Sequence, residues 1–278
     1  MQQPRPIRDL SRLCVHTITT RPLNIEKAVE KFAARGISGI TVWRNAVEKI
    51  GARRAGQIIR RRGLKVVSLC RGGFFPSTDP AERKTSTGDN LKAIQEAHEL
   101  GAPMLVLVCG ADPGQSLSRS REQIRAGIES ILPRATELGV RLAIEPLHPL
   151  YADTRSAINT MKQAVELAGY FNSPWLGVAV DVYHVWWDED LEKGIRECGR
   201  EGRLFAFHIC DWKVPTADIL NDRGLMGEGC IDIVKIRGWM ESSGFDGFNE
   251  VEVFSDIYWG YDQDEYLDMI VNSYLEHV

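Results

Sequence analysis

The stretch LAIEPLHPLY, residues 142–151, holds a short apolar run that ends on a carboxylate, Glu145, with a proline directly after it. A carboxylate at the end of a buried segment is costly unless it is paired with a cation, hydrogen-bonded or bound to a metal. If other apolar runs end in the same way, the charges belong to one site and the runs to one sheet. The ends of the other runs therefore decide how this glutamate is interpreted.

Seven other short runs rich in valine, isoleucine and leucine share this character. They are almost continuously hydrophobic and lack the alternation of apolar and polar residues that marks a strand exposed on one face. This pattern is typical of parallel strands covered on both faces. The eight runs are LCVHT (13–17), GITVW (39–43), KVVSLC (65–70), MLVLVC (104–109), RLAIE (141–145), GVAVD (177–181), LFAFH (204–208) and NEVEVF (249–254).

Segments with helical periodicity separate these runs. In residues 117–138, Ile124, Ile128 and Ile131 recur at spacings of three and four, which predicts a helix with one apolar face. The helix candidates are 24–35, 48–62, 88–100, 117–138, 154–168, 189–201, 230–243 and 263–276. Eight strands alternating with eight helices, with no break in composition, predict a single α/β domain over residues 1–278, a (β/α)8 TIM barrel. The alternative is an open doubly wound sheet, but no GxGxxG follows the first run.

Composition and charge argue against several classes of function. The 278 residues carry 34 basic and 38 acidic side chains and a formal charge of -4, so no overall attraction to nucleic acid or to an anionic membrane is expected. No apolar run reaches the roughly 18 residues of a membrane span, and the first residues lack a signal-peptide pattern. Six cysteines without a CxxC pair fit a reducing compartment. We expect a cytoplasmic protein that binds neither nucleic acid nor membrane, and a homo-oligomer is compatible with the sequence.

Catalytic groups of an α/β barrel stand at the carboxyl ends of its strands, and the last four runs place metal-binding side chains there. The fifth run ends on Glu145, the sixth on Asp181 and the seventh on His208. The eighth run carries Glu252, with Glu250 two residues earlier as the alternative. Three carboxylates and one imidazole suit Mn²⁺, Mg²⁺ or Co²⁺ better than a structural zinc site, which prefers thiolates. The sequence predicts a divalent-metal site, with Mn²⁺ favoured and Zn²⁺ still compatible.

Several motifs in the chain resemble those of a known superfamily. AIEPLHP, AVDVYH, FHICDW and GFDGFNEVEVF are similar to motifs of the xylose isomerase-like TIM barrel superfamily, which contains sugar phosphate isomerases and epimerases and proteins of the AP endonuclease family 2 type. The resemblance implies a metal site formed by Glu145, Asp181, His208 and Glu252. It also implies a metal-dependent isomerase or epimerase of a small sugar, keto-sugar or inosose. The two glutamates would act as base and acid on opposite faces of the substrate, and the metal would stabilise the enediolate.

Four further residues near the expected mouth of the barrel are candidates for binding the substrate. In the family that this chain resembles, the histidine of the DxxH motif contacts substrate oxygens, and here that residue is His184. His148 follows the fifth run on a segment stiffened by two prolines. His16 and Trp43 end the first and second runs, where an aromatic surface and hydrogen-bonding groups suit a sugar ring.

Two arginines and one long connection complete the candidates. Residues 209–229 lack helical periodicity, and a connection of that length is usually functional. Its last part, DRGLMGEG (222–229), resembles a glycine-bearing loop of the family, and this resemblance implies that it covers the site. Arg223, within this connection, and Arg155 could hold an anionic group of the substrate. The epimerases of the family imply a second carboxylate six residues after the strand-five ligand, where this chain has Tyr151. This departure argues against an unmodified ketohexose 3-epimerase.

Three other functions remain open. Proton abstraction beside a ketone can also lead to β-elimination, so a metal-dependent lyase or dehydratase acting on a keto-sugar or inosose would use the same residues. An endonuclease IV-like DNA repair enzyme would need histidines at the ends of the third and fourth runs, which instead read SLCRGG and VLVCGAD. A non-catalytic sugar-binding barrel would have no need for two carboxylates that bracket a substrate.

Overall fold

Eight parallel strands form a closed barrel in the computed structural model, which describes residues 6–278. The strands are β1 (Leu13–His16), β2 (Gly39–Trp43), β3 (Lys65–Gly73), β4 (Met104–Val108), β5 (Arg141–Glu145), β6 (Leu176–Asp181), β7 (Leu204–Ile209) and β8 (Asn249–Val251). Each strand pairs with the one before it, and β8 closes the ring against β1. The predicted TIM barrel is confirmed.

Helices surround the barrel, between successive strands and after the last one. Within residues 6–278 they are α1 (Ile25–Ala34), α2 (Ala52–Arg61), α3 (Pro80–Leu100), α4 (Leu117–Glu137), α5 (Met161–Phe171), α6 (Val182–Val185), α7 (Leu191–Arg200), α8 (Ile233–Ser242), α9 (Asp256–Trp259) and α10 (Gln263–His277). Their apolar faces, with Phe32, Ile94 and Ile128 fully buried, pack on the outside of the strands. None of the described helices is long and apolar enough to cross a lipid bilayer.

The helix predicted at 154–168 begins seven residues later than expected, at Met161. The preceding segment is held as a loop by Asn159, whose side-chain amide donates to the carbonyl of Ser156 at 2.9 Å. Thr160 then caps the helix, because its hydroxyl accepts a hydrogen bond from a backbone N–H of the first turn. Local side-chain bonds of this kind compete with helix formation and override the apolar spacing.

The eighth strand is shorter than the run 249–254 predicted. It ends at Val251, so Glu252 follows the strand directly. The backbone N–H of Glu252 still donates to the carbonyl of Ile209 at 3.0 Å, which keeps the glutamate beside the end of β7. The side chain of Glu252 is almost completely buried.

A short antiparallel ribbon lies inside the connection 209–229, where the sequence indicated only a long loop. In this ribbon Asp211–Trp212 pair with Arg223–Gly224. The buried carboxylate of Asp211 accepts hydrogen bonds from the backbone N–H groups of Gly227 and Ile231, each at 3.0 Å, and so fixes the return of the chain. The ribbon directs the side chain of Arg223 into the mouth of the barrel.

The interior of the barrel contains a buried acidic group below its mouth. Glu250, in β8, lies opposite His208 of β7 in the strand register. Its Oε2 accepts hydrogen bonds from the hydroxyls of Thr41 at 2.5 Å and Ser68 at 3.3 Å. This glutamate, which the sequence left as an alternative ligand, therefore has its own partners within the barrel.

Candidate metal centre and active site

Four buried side chains converge at the carboxyl ends of four neighbouring strands. Glu145 ends β5, Asp181 ends β6, His208 lies in β7, and Glu252 directly follows β8. Each offers one ligand atom such that the four atoms all lie within 4.8 Å of one another. The structure thus brings together the four residues that the strand ends indicated, and their role as ligands stays a prediction.

Several polar atoms of this cluster lack a hydrogen-bond partner among residues 6–278. His208 Nδ1 lies 2.8 Å from Glu145 Oε1, but the two atoms are not aligned for a hydrogen bond, and His208 Nε2 makes none either. Leaving a buried polar atom unpaired costs about 1–3 kcal/mol, so such atoms are rare. Three carboxylates and one imidazole with lone pairs in a shared space match the ligand set of a divalent cation. The four residues are therefore suited to hold one.

A histidine accompanies each of the two glutamates. Burial acts to lower the pKa of His208, but its contact with Glu145 and the charge of Glu250 outweigh burial and raise the pKa to about 10. His16 Nδ1 lies 2.9 Å from Glu252 Oε1, and its Nε2 lies 3.4 Å from Glu250 Oε2. Burial is again outweighed by these carboxylates, and the pKa of His16 rises to about 9. Without a metal, both imidazoles are positively charged at neutral pH.

Arg223 enters the same cluster from the ribbon. Its Nη1 donates to Asp181 Oδ2 at 3.1 Å and to Glu252 Oε2 at 2.9 Å. The guanidinium lies 4.3 Å from the ring centroid of Tyr183 and 4.8 Å from that of Phe254. Burial acts to lower its pKa, but the negative groups around it, led by Asp181, raise the pKa well above its usual value. The sequence suggested that Arg223 holds an anionic substrate group, whereas its partners here are two carboxylates of the cluster.

The cluster borders a cavity of about 40 Å³. A space of this size holds only a few water molecules. Its lining includes Trp43, Arg71, Glu145, Arg155, His184 and Glu252. A larger cavity of about 880 Å³ shares Trp43, Cys70 and Arg71 with the first, so the two spaces meet at the mouth of the barrel.

His184 lies on the cavity wall as the DxxH motif suggested. Its Nε2 is 3.5 Å from Asp181 Oδ2 and 3.2 Å from Arg223 Nη2. Burial, and after it the charge of Arg223, lowers the pKa of His184 well below its usual value. The imidazole is therefore neutral at physiological pH, with one nitrogen able to donate and the other able to accept a hydrogen bond.

The other two predicted histidine contacts do not line the cavity. His148 stacks on Trp212 with ring centroids 5.0 Å apart, and its Nδ1 accepts a hydrogen bond from the backbone N–H of Leu150 at 3.3 Å. It caps the short 3-10 turn Pro149–Tyr151, and this turn directs the ring toward Trp212. His16 is fully buried against the glutamates of the cluster. Trp43 and Arg223, in contrast, both line the cavity.

Two residues that line the cavity, Arg71 and Tyr151, were not among the site residues predicted from the sequence. Arg71 directly follows the third apolar run, so the strand-end rule that indicated the metal ligands also applies to it. Tyr151 lines the cavity, and its hydroxyl donates to the carbonyl of Ile219. The hydroxyl of Tyr183 donates to the same oxygen at 3.0 Å, and the next residue, Leu220, lines the cavity. The tyrosines thus tie the long connection across the site.

Known proteins share this architecture and part of this sequence. A family model described as xylose isomerase-like TIM barrel matches residues 29–270. The curated protein L-ribulose-5-phosphate 3-epimerase UlaE of Escherichia coli O1:K1 / APEC is 27% identical over 202 residues, which span 70% of this chain and 66% of that protein. The solved structure of protein SMc04130 from Sinorhizobium meliloti 1021 is 45% identical, with a TM-score of 0.92 over 96% of this chain and 98% of that one. The structure of the IOLI protein with a binding zinc atom is 19% identical and similar in fold, with a TM-score of 0.82 over 94% of this chain and 96% of that one.

Proposed function

This chain belongs to the xylose isomerase-like TIM barrel family, and from that premise we propose that it is a divalent-metal-dependent isomerase or epimerase of a small sugar, keto-sugar or inosose. The observation that carries the proposal is the convergence of Glu145, Asp181, His208 and Glu252 within 4.8 Å. The curated relative, by name a sugar phosphate epimerase, and the zinc atom in the IOLI structure support it. We favour Mn²⁺ over Mg²⁺, Co²⁺ and Zn²⁺, because the set combines hard oxygen ligands with one imidazole.

Moving a proton next to a carbonyl group requires a base, an acid and stabilisation of the negative charge that develops on oxygen. A divalent cation held by the four residues would supply that stabilisation. Glu145 ends β5 and Glu252 follows β8, so two strands separate them and their carboxylates reach the cavity from different sides. One carboxylate would remove the proton and the other would return it.

His16 would favour the ionised form of Glu252. A cationic imidazole favours the ionised form of a neighbouring carboxyl group, and the ionised form is the one that accepts a proton. His16, at 2.9 Å from Glu252, would act as a positioning residue for that glutamate. His208, at 2.8 Å from Glu145, would become a ligand once it has lost its own proton.

Three residues of the cavity wall would contact the substrate. We assign His184 to a substrate oxygen, because its neutral imidazole can donate one hydrogen bond and accept another. Trp43 would offer its apolar face to the carbon skeleton, and Arg223 would orient an oxygen beside the carboxylates. His148 would reach the substrate only after leaving Trp212.

The test is a deuterium wash-in screen in D₂O over aldoses, ketoses, inososes and keto-glycosides. The protein is assayed with Mn²⁺ and, as a control, with excess EDTA. We expect solvent deuterium at the carbon next to the carbonyl of at least one substrate with Mn²⁺ and none with EDTA, because isomerisation and epimerisation both begin with removal of that proton. If the protein takes up Mn²⁺ but none of the four classes of substrate exchanges a proton for deuterium, the proposal is contradicted.

The products of the same screen separate the alternatives. An isomerase or epimerase returns a sugar of unchanged composition that carries deuterium. A dehydratase releases a product lighter by one molecule of water, and a lyase that acts on a keto-glycoside releases the alcohol of the glycosidic bond. A non-catalytic sugar-binding barrel binds a sugar but exchanges no proton, and an endonuclease IV-like enzyme would cleave abasic DNA and leave every sugar unchanged.

A further inference from the structure

Two arginines lie on the cavity wall without an acidic partner. Arg71 belongs to β3 and Arg155 to the connection between β5 and α5, and both are half-buried. Within residues 6–278, neither guanidinium forms a hydrogen bond or an ion pair. Each lies against an aromatic ring instead, with Arg71 4.2 Å from the centroid of Phe74 and Arg155 5.7 Å from that of Tyr151.

Two other arginines that line these cavities, Arg44 and Arg223, are paired with carboxylates. Arg44 donates to both carboxylate oxygens of Asp89, at 2.7 and 2.9 Å. Arg223 donates to the carboxylate of Asp181 at 3.1 Å and to a second carboxylate of the cluster. In contrast, no acidic side chain among the described residues forms an ion pair with Arg71 or Arg155. Their positive charges on the cavity wall are therefore not neutralised.

The two unpaired charges also act on each other. Burial, and after it the charge of Arg155, lowers the pKa of Arg71. Keeping two guanidinium groups partly out of water without a counter-ion is unfavourable, and an anion bound between them would remove that cost. Guanidinium groups present forked N–H donors that match the oxygens of a phosphate or a carboxylate.

Their position fits the substrate of the proposed reaction. Glu145 and Glu252 line the same cavity as the two arginines. A sugar whose reacting carbon lies between these carboxylates can therefore extend a terminal group toward the arginines. The larger cavity, which Arg71 also lines, provides room for the rest of such a chain.

We propose that Arg71 and Arg155 form an anion subsite, and that the substrate carries a phosphate monoester or carboxylate group that they bind. The proposal rests on the sugar isomerase or epimerase function proposed above and names its substrate class. Arg223 is not part of the subsite, because its Nη1 is occupied by Asp181 and Glu252.

Three six-carbon polyols test the subsite without turnover. Sorbitol 6-phosphate, gluconate and sorbitol differ in one terminal group and lack the ketone or aldehyde that the reaction needs. In calorimetric titrations of the Mn²⁺-loaded protein, we expect at least one of the two anions to bind about 10-fold or more tightly than sorbitol, the factor that about 1.4 kcal/mol supplies. The tighter of the two anions identifies the group as phosphate or carboxylate. Equal affinities for all three ligands would overturn the proposal.

Substitutions connect the preference to the two arginines. Arg71→Gln and Arg155→Gln, singly and together, should bring the anion to within about twofold of sorbitol, because the charge-assisted hydrogen bonds are lost. Arg71→Lys and Arg155→Lys keep the charge and should retain part of the preference. Arg125→Gln is the matched control, since Arg125 is exposed and lies 4.9 Å from the centroid of Tyr170 on the outside of the barrel. A full preference in the double glutamine variant would overturn the proposal.

Failure of the subsite and failure of the proposed function give different results. If neutral ketoses exchange deuterium with the same kcat/KM as their phosphorylated and carboxylated counterparts, the subsite is wrong and the function stands. If the anions bind through the two arginines but no sugar exchanges a proton, the subsite stands and the function is wrong.

Discussion

Glu145 and Glu252 combine a metal-competent oxygen with a neighbouring imidazole, so each can be tested as a proton carrier. We expect Glu145→Gln and Glu252→Gln each to lower the rate of deuterium exchange by about 100-fold or more, since glutamine keeps the shape but cannot accept the proton. The circular dichroism spectrum should stay unchanged. Glu137→Gln, an exposed position at the end of α4, is the control. Exchange at the wild-type rate in either active-site variant would rule out the two-carboxylate mechanism.

His208 links metal binding to pH. Its pKa of about 10 without a metal means that both nitrogens of the imidazole are protonated at neutral pH. One of these protons must leave before a nitrogen can donate its lone pair to a cation. The apparent affinity for Mn²⁺ should therefore rise as the pH rises from about 6 to about 8, by about tenfold per pH unit for each proton released. Calorimetry in buffers of different ionisation enthalpy counts these protons. An affinity that is independent of pH would contradict this coupling.

The convergence of the four proposed ligands could be predicted from single residues because Glu145, Asp181 and His208 each end an apolar run. Their meeting point then follows from the barrel alone. The place of Arg223 could not be predicted, because it depends on the pairing of the ribbon strands, which have no periodicity to mark them. His148 was misleading, since its nearness in sequence to Glu145 does not reveal the turn that directs it toward Trp212.

The connection 213–222 closes over the site. Tyr151 and Tyr183 donate to the same carbonyl, that of Ile219, and Leu220 reaches the cavity wall. The space beneath, about 40 Å³, has no room for a sugar. We infer that this connection moves when substrate binds, and that the two tyrosine hydroxyls hold it closed.

Limited proteolysis tests the tyrosines. The variant Tyr151→Phe/Tyr183→Phe should be cut by trypsin after Lys213 about 10-fold faster than the wild type, because two hydrogen bonds of about 0.5–1.5 kcal/mol each no longer oppose local opening. Tyr170→Phe, an exposed tyrosine on α5, is the control. Equal cleavage rates in all three proteins would show that the hydroxyls do not hold the connection.

The helices show where sequence patterns succeed and where they fail. The bounds of α4 agree with the predicted 117–138 to within one residue, because a long apolar stripe and the Ser116 cap both mark it. The prediction for α3 began at 88 because it followed apolar residues only. The helix in fact begins at Pro80, where Asp79 caps a polar first half that packs little. Capping chemistry therefore sets helix ends that periodicity cannot locate.

The two ends of the described chain are joined within the barrel. β1 pairs with β8, with Leu13 opposite Asn249 in the register. The outer helices repeat this connection, since Arg35, directly after α1, donates to Asp268 of α10 at 2.6 Å. The barrel cannot close without either end, and the four proposed ligands meet only when β5 to β8 are all in place.

This closure predicts that the chain unfolds as the single domain expected from its sequence. Thermal unfolding followed by circular dichroism, tryptophan fluorescence and calorimetry should give one coincident transition. Mn²⁺ at about 100 times its Kd should stabilise the folded state by about 2.7 kcal/mol and shift that transition as a unit, because the four proposed ligands come from four strands. Glu252→Gln should reduce the shift, which separates binding at the cluster from binding elsewhere. Two separate transitions, with Mn²⁺ shifting only one of them, would instead divide the chain into two domains.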